Sequence, residues 1–242
     1  MFVQKLDLCD SEDIQLIWLH GWGLDGNSLM TLASLLHARG ENYLLDLPGF
    51  GKTPLPDAPW GTQEYADEVA RFIKELPKRK TFVIGHSFGG RVALRLANKY
   101  PELLDGIVLV GGAGLQKKRS LMFRIYVGLV KKYGKFVKQI FPFLKKFSFG
   151  SSDYKKTEGV KREIFTKVIS EDLSGIASKI TLPALLIYGE KDTETPPDFG
   201  IRYKELLKNS SLYIIPEQDH WSILRQQQTA AFINNFISEN LL

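Results

Sequence analysis

Residues 81–100 read TFVIGHSFGGRVALRLANKY, and they hold three messages in a row. Thr81–Ile84 is a short β-branched and aromatic run, which is the composition of a buried strand. Phe88–Lys99 places apolar residues at helical spacing. Between them lies Gly85-His86-Ser87-Phe88-Gly89, a G-x-S-x-G. A strand that turns sharply into a helix around a serine holds that hydroxyl on a strained, exposed bend, and flanking glycines leave room for it. Ser87 is therefore the candidate nucleophile. An unassisted serine hydroxyl is a weak one, so a base and an acid to orient it are needed elsewhere.

Outward from this segment the same rhythm repeats. Strands are expected at Val3–Leu8 (an edge), Ile14–Leu19, Tyr43–Leu47, Gly106–Val110, Ala184–Tyr188 and Ser211–Ile215. Helices are expected at Leu29–Ala38, Glu64–Leu76, Phe199–Leu207 and Trp221–Ser238. Short strands that are apolar throughout and alternate with helices predict a mostly parallel central sheet with helices on both faces. The rhythm breaks after Gly114. Residues 115–179 read as a helical insertion rich in Lys, Phe and Tyr, so the expected organisation is a core of 1–114 and 180–242 with a lid at 115–179.

The base follows by elimination among four histidines. His37 falls on a surface helix. His86 lies inside the turn and is expected to point away from the site. His20 ends a strand. His220 follows the last strand and a short loop, where it can return to the serine. For the acid, strand ALLIY runs into Gly189-Glu190-Lys191-Asp192. Asp192 is the first choice, with Glu190 and Glu194 as competitors; Asp219 is too close in sequence to His220 to face its ring. The charge developing on a substrate oxygen needs two backbone N–H donors. Those of Phe88, next to the serine, and Trp22, in His20-Gly21-Trp22-Gly23, are the candidates.

These pieces resemble the α/β-hydrolase superfamily along the whole chain: HGWG at 20–23, DLPGFGKT at 46–53, GHSFGG at 85–90, YGEKD at 188–192 and DH at 219–220. The order Ser, Asp, His is the one that fold uses. HGWGLDG also resembles the opening of esterases acting on pimeloyl-acyl-carrier-protein methyl ester. The chain departs from the family's habit in the Glu-Gln-Asp before His220 and in a short N-terminus. The resemblance implies a serine hydrolase that cleaves a carboxylic ester through an acyl-enzyme. Carbon–carbon bond hydrolysis, acyl transfer and perhydrolysis use the same three residues and stay open, as does a hydrolase-fold binding protein with little turnover. A serine at position 87 excludes the haloalkane dehalogenases and epoxide hydrolases of this fold, which need Asp there.

Composition narrows the rest. No stretch nears the length needed to span a bilayer, the start does not read as a signal peptide, and a single cysteine, Cys9, permits no internal disulfide. A cytoplasmic location is expected. Scattered histidines offer no metal cluster, Gly51-Lys52-Thr53 matches only the tail of a phosphate loop, and no cofactor is expected. Charge is segregated: residues 115–180 hold sixteen Lys and Arg against five Asp and Glu, a net +11, which leaves −6 on the remainder. Phe123, Tyr126, Phe136, Phe141, Phe143, Phe147 and Phe149 of the insertion suit a surface over an acyl chain or the lid's own core. The lysines suit a solvated face or an acidic carrier protein or anionic surface. No nucleic-acid motif accompanies them.

Overall fold

The computed structural model describes residues 1–7, 13–36, 40–117 and 157–241. The chain divides into two compact units, 1–115 with 159–242, and 116–158. The second lies almost entirely outside the described residues, and so does most of the expected lid, including its aromatics from Phe123 to Phe149 and Lys131, Lys132, Lys135 and Lys138. Cys9 and His37 lie outside them too.

In the first unit the described strands are β1 (Phe2–Asp7), β2 (Ile14–Leu19), β3 (Glu41–Asp46), β4 (Lys80–His86), β5 (Gly106–Val110), β6 (Ala184–Gly189) and β7 (Ser210–Ile215). They form one seven-stranded sheet in the order β1-β3-β2-β4-β5-β6-β7. β1 pairs antiparallel with β3 at one edge, and every other neighbouring pair is parallel. This is the α/β-hydrolase fold. β2, β4, β5 and β6 are mostly apolar because both of their faces are covered.

Successive side chains on a strand point to opposite faces, and the core splits accordingly. Ile17, Leu19, Val83, Ile107, Leu109 and Leu186 pack to one side, under α2 (Thr62–Glu75) and α3 (Phe88–Lys99). Leu16, Trp18, Ile84, Val108, Val110 and Ile187 pack to the other, under α1 (Met30–Leu35) and the C-terminal helix. The described helices continue with α4 (Gly159–Ser170), α5 (Ser174–Ala177), α6 (Pro197–Leu206) and α7 (Gln227–Glu239).

Two expected helices are shorter than their spacing suggested. A 3-10 turn at Gly26–Leu29 precedes α1. The expected helix Trp221–Ser238 is a 3-10 turn, Ser222–Arg225, then α7, with extended Gln226 between them. His220 therefore sits in a turn and not at the head of a long helix.

Residues 159–179 pack in the same unit as the sheet. The buried Arg91 guanidinium, on α3, donates to the carbonyls of Val168 and Glu171 at 2.9 and 3.1 Å. Arg95 donates to the Thr62 hydroxyl at 3.0 Å and pairs with Glu171 at 2.9 Å, and Glu171 also accepts the Thr62 N–H. One carboxylate thus ties the end of α4 to α2 and α3. No helix among the described residues is long and apolar enough to cross a membrane.

Candidate active site

The candidate residues gather at the C-terminal ends of the parallel strands, where loops leave the sheet. Ser87 stands between β4 and α3 with φ 50° and ψ −107°, a conformation that a side chain makes costly. The flanking glycines are needed for space: a Cβ on Gly85 would lie 2.5 Å from the Gly89 backbone, and one on Gly89 would lie 2.0 Å from the Leu19 carbonyl oxygen. Backbone bonds fix the bend further. The Ser87 N–H donates to the Val110 carbonyl at 3.2 Å, and the Gly90 and Ala113 N–H groups donate to the Ser87 carbonyl at 3.0 and 3.1 Å. Ser87 is half-buried between fully buried neighbours.

Asp192 and His220 arrive on adjacent loops. β6 and β7 are parallel neighbours, and their exits touch: the Lys191 N–H donates to the Gln218 carbonyl at 2.8 Å, and a Cβ on Gly189 would lie 2.3 Å from that same oxygen. Both side chains are buried. His220 Nδ1 lies 2.7 Å from Asp192 Oδ2. Asp192 Oδ1 accepts the N–H groups of Glu194 and Thr195, each at 2.8 Å. Burial alone pushes the Asp192 carboxyl up, but its hydrogen bond to His220 and those from Thr195 hold it below the usual carboxylate range. The competitors stand apart from the imidazole. Glu190 accepts the Glu217 N–H at 3.0 Å, and Glu194 is exposed. Asp219 caps the following turn through the N–H groups of Trp221 and Ser222.

One neighbour of this pair carries no signal in the sequence. The buried Thr195 hydroxyl lies 2.9 Å from Asp192 Oδ2, 2.9 Å from the Gly111 carbonyl oxygen and 3.2 Å from His220 Nδ1. Gly111, at φ 54°, is where β5 ends and makes room for it: a Cβ there would lie 3.2 Å from His220 Nδ1 and 3.3 Å from the Thr195 hydroxyl oxygen.

His86 differs from expectation. Its ring packs on the His220 ring, centroids 4.7 Å apart, and its Nε2 lies 3.1 Å from the His220 carbonyl oxygen. The alternation of β4 explains this: His86 shares a face with Phe82 and Ile84, and the loop carrying His220 crosses that face. Complete burial, with the nearby His220 charge, pushes the His86 pKa down to about 3, so its ring is neutral at ordinary pH.

The loop that carries Trp22 is held by His20 and Asp46. His20 Nε2 accepts the Leu47 N–H at 3.0 Å, which leaves the proton on Nδ1 to bond the Gly21 carbonyl at 2.7 Å. Burial lowers the His20 pKa. Asp46 accepts the Gly26 and Lys52 N–H groups at 2.8 Å each, and a Cβ on Gly51, at φ 54°, would lie 2.2 Å from its carboxylate. That accounts for both ends of the DLPGFG pattern. Trp22 packs edge-on against Phe50 and Phe88 and tilted against Phe165 of α4, with centroids at 4.9, 5.4 and 4.9 Å. The Trp22 and Phe88 backbone N–H groups make no hydrogen bond within the described residues.

Fold and site geometry together define a hydrolase of the α/β class. Residues 16–232 match the Alpha/beta hydrolase family, and the chain belongs to it. Among its relatives is the pimeloyl-[acyl-carrier protein] methyl ester esterase of Chromobacterium violaceum, 27% identical over 94% of this chain and 94% of that protein. Another is the 2-hydroxy-6-oxo-6-(2'-aminophenyl)hexa-2,4-dienoic acid hydrolase of Metapseudomonas resinovorans, 23% identical over 89% of this chain and 80% of the other. The structure of MenH from S. aureus superposes with a TM-score of 0.73 at 18% identity, covering 99% of each chain, a likeness of fold.

Proposed function

We propose that the protein hydrolyses a carboxylic ester through an acyl-enzyme on Ser87. With its Nδ1–H donated to Asp192, His220 keeps a lone pair on Nε2 and takes the Ser87 proton as the hydroxyl oxygen attacks the ester carbonyl. The N–H groups of Trp22 and Phe88 receive the oxyanion. His220 then gives its proton to the departing alkoxide, and a water activated in the same way releases the acid and restores the serine. Two observations support this reading, the strained Ser87 bend after β4 and a buried carboxylate–imidazole pair of 2.7 Å on the loops after β6 and β7. Backbone strain at a non-glycine residue, held in place by steric and backbone constraints, points to a functional position. The esterase among the relatives supports the choice of ester.

The relative that hydrolyses a dienoic acid motivates a second reading, carbon–carbon hydrolysis on the same residues. The basic insertion is proposed to attract an anionic substrate or partner. The test is an ester panel run beside a 2-hydroxy-6-oxodienoic acid, with fluorophosphonate labelling. Ser87→Ala is expected to abolish labelling and to lower turnover by about four orders of magnitude or more while the protein still folds. Retained turnover in this variant refutes the assignment; an unlabelled, inactive wild type points to a binding protein.

A further inference from the structure

Most lysines that the structure pairs on the surface of the described unit are held by carboxylates: Lys5 by Glu41, Lys80 by Asp105, Lys99 by Asp67 and Lys167 by Glu64. Lys161, on α4, is different. Its ammonium donates to the Gly49 carbonyl at 2.9 Å and sits over the Phe50 ring, 4.6 Å from the centroid. Among the described residues no carboxylate lies within ion-pair distance of it. It is half-buried, and desolvation lowers its pKa.

Its position is informative. Phe165 lies one helical turn further along α4, so the two side chains share a face. That face meets the rings beside the proposed oxyanion donors: Phe165 touches Trp22, and Phe50, beneath the ammonium, touches both Trp22 and Phe88. The cation is thus one ring removed from the two residues whose N–H groups would hold the acyl oxygen. An ammonium has three donors, and the Gly49 carbonyl takes one. A partly desolvated charge without a counter-ion is costly, and an arriving carboxylate offsets that cost with a charge-assisted bond at an apolar wall.

We propose that Lys161 binds a carboxylate at the far end of the acyl chain, so that the enzyme selects half-esters of dicarboxylic acids over neutral esters of equal length. This rests on the ester reading at Ser87. The experiment compares kcat/KM for monomethyl half-esters from succinate to suberate with that for the methyl esters of the matching monocarboxylic acids. The preferred half-ester is expected to exceed its neutral partner by about tenfold or more. Lys161→Met should collapse that ratio and Lys161→Arg should keep it. Lys167→Met, on the same helix but paired with Glu64, should leave it at the wild-type value. Calorimetric titration of Ser87→Ala with monomethyl adipate and with methyl hexanoate separates this inference from the one it rests on. Half-ester binding that Lys161→Met removes upholds the carboxylate site even where no ester is hydrolysed. Equal ratios in wild type and Lys161→Met, or equal affinity for the two esters, overturn it.

Discussion

The Ser87 turn and the Asp192 turn both end buried parallel strands, yet they are held by opposite means. The Ser87 bend is a matter of backbone and space. Its glycines are there because the chain passes within 2.0–2.5 Å of where a Cβ would stand, and its bonds run from N–H to C=O. The Asp192 turn is a matter of side-chain chemistry. One carboxylate collects two backbone N–H groups, a hydroxyl and an imidazole. A bend made of backbone should fail by losing the fold when atoms are added. A turn made of polar side chains should keep the fold and lose its chemistry when a proton donor or acceptor is changed.

Gly89→Ala tests the first half and carries the largest effect. Gly89 lies inside α3, where helix propensity alone favours alanine by about 1 kcal/mol. The added methyl would stand 2.0 Å from the Leu19 carbonyl oxygen, at the point where the Gly89 N–H bonds the His20 carbonyl at 3.1 Å. Sterics should win: we expect a loss of about 3 kcal/mol or more in chemical denaturation, and loss of activity with it. A variant as stable as wild type would mean that the turn has slack and that its glycines do not define it.

Asp192→Asn tests the second half. The amide oxygen can still take the two N–H bonds, so stability should fall little. Its NH2 would then face His220, move the imidazole proton to Nε2 and leave no base for Ser87. Turnover should fall by about three to four orders of magnitude. Glu190→Gln and Glu194→Gln should stay within a few-fold of wild type, because neither carboxylate bonds His220. A comparable loss from either one moves the acid to that residue.

The same contrast explains what could be read without coordinates. The backbone-made turn was legible because steric demand writes itself locally, as G-x-S-x-G between a strand and a helix. Parallel strands were legible for a related reason: two covered faces leave short runs dominated by apolar residues, such as IQLIWL and ALLIYG. The break at Gln226 was less visible, since apolar residues continue at helical spacing on both sides of it. Thr195, His86 and Lys161 were not legible at all as site neighbours. Each owes its place to a partner brought in by the sheet, Gly111 for Thr195, His220 for His86, Phe50 for Lys161, and none lies in a local pattern that demands its residue type.

Thr195→Val is the finest test, because it keeps the shape of the side chain and removes only the hydroxyl. In the native turn that hydroxyl can donate to Asp192 Oδ2 or to the Gly111 carbonyl, each at 2.9 Å, while its oxygen stands 3.2 Å from His220 Nδ1. Without it Oδ2 serves His220 alone. The carboxylate loses a bond that favours its charged form, so the Asp192 pKa rises. Less dispersed, the negative charge favours the protonated imidazole more strongly. The base must be neutral to take the Ser87 proton, so the acidic limb of the kcat/KM profile should move to higher pH. Turnover at its plateau should fall about tenfold, the worth of one hydrogen bond to a charged group. Stability should fall as well, since a buried Gly111 carbonyl loses its partner. Depression of the native Asp192 pKa adds stability above the carboxyl's unfolded value, and that stability is lost as pH falls through the lower folded value. Thr195→Val should therefore narrow the gap in stability between neutral and acid pH. Thr195→Ser, which restores the hydroxyl, should restore the limb. A limb that stays in place while only the melting temperature drops would make Thr195 a strut for the turn, with no part in orienting the pair.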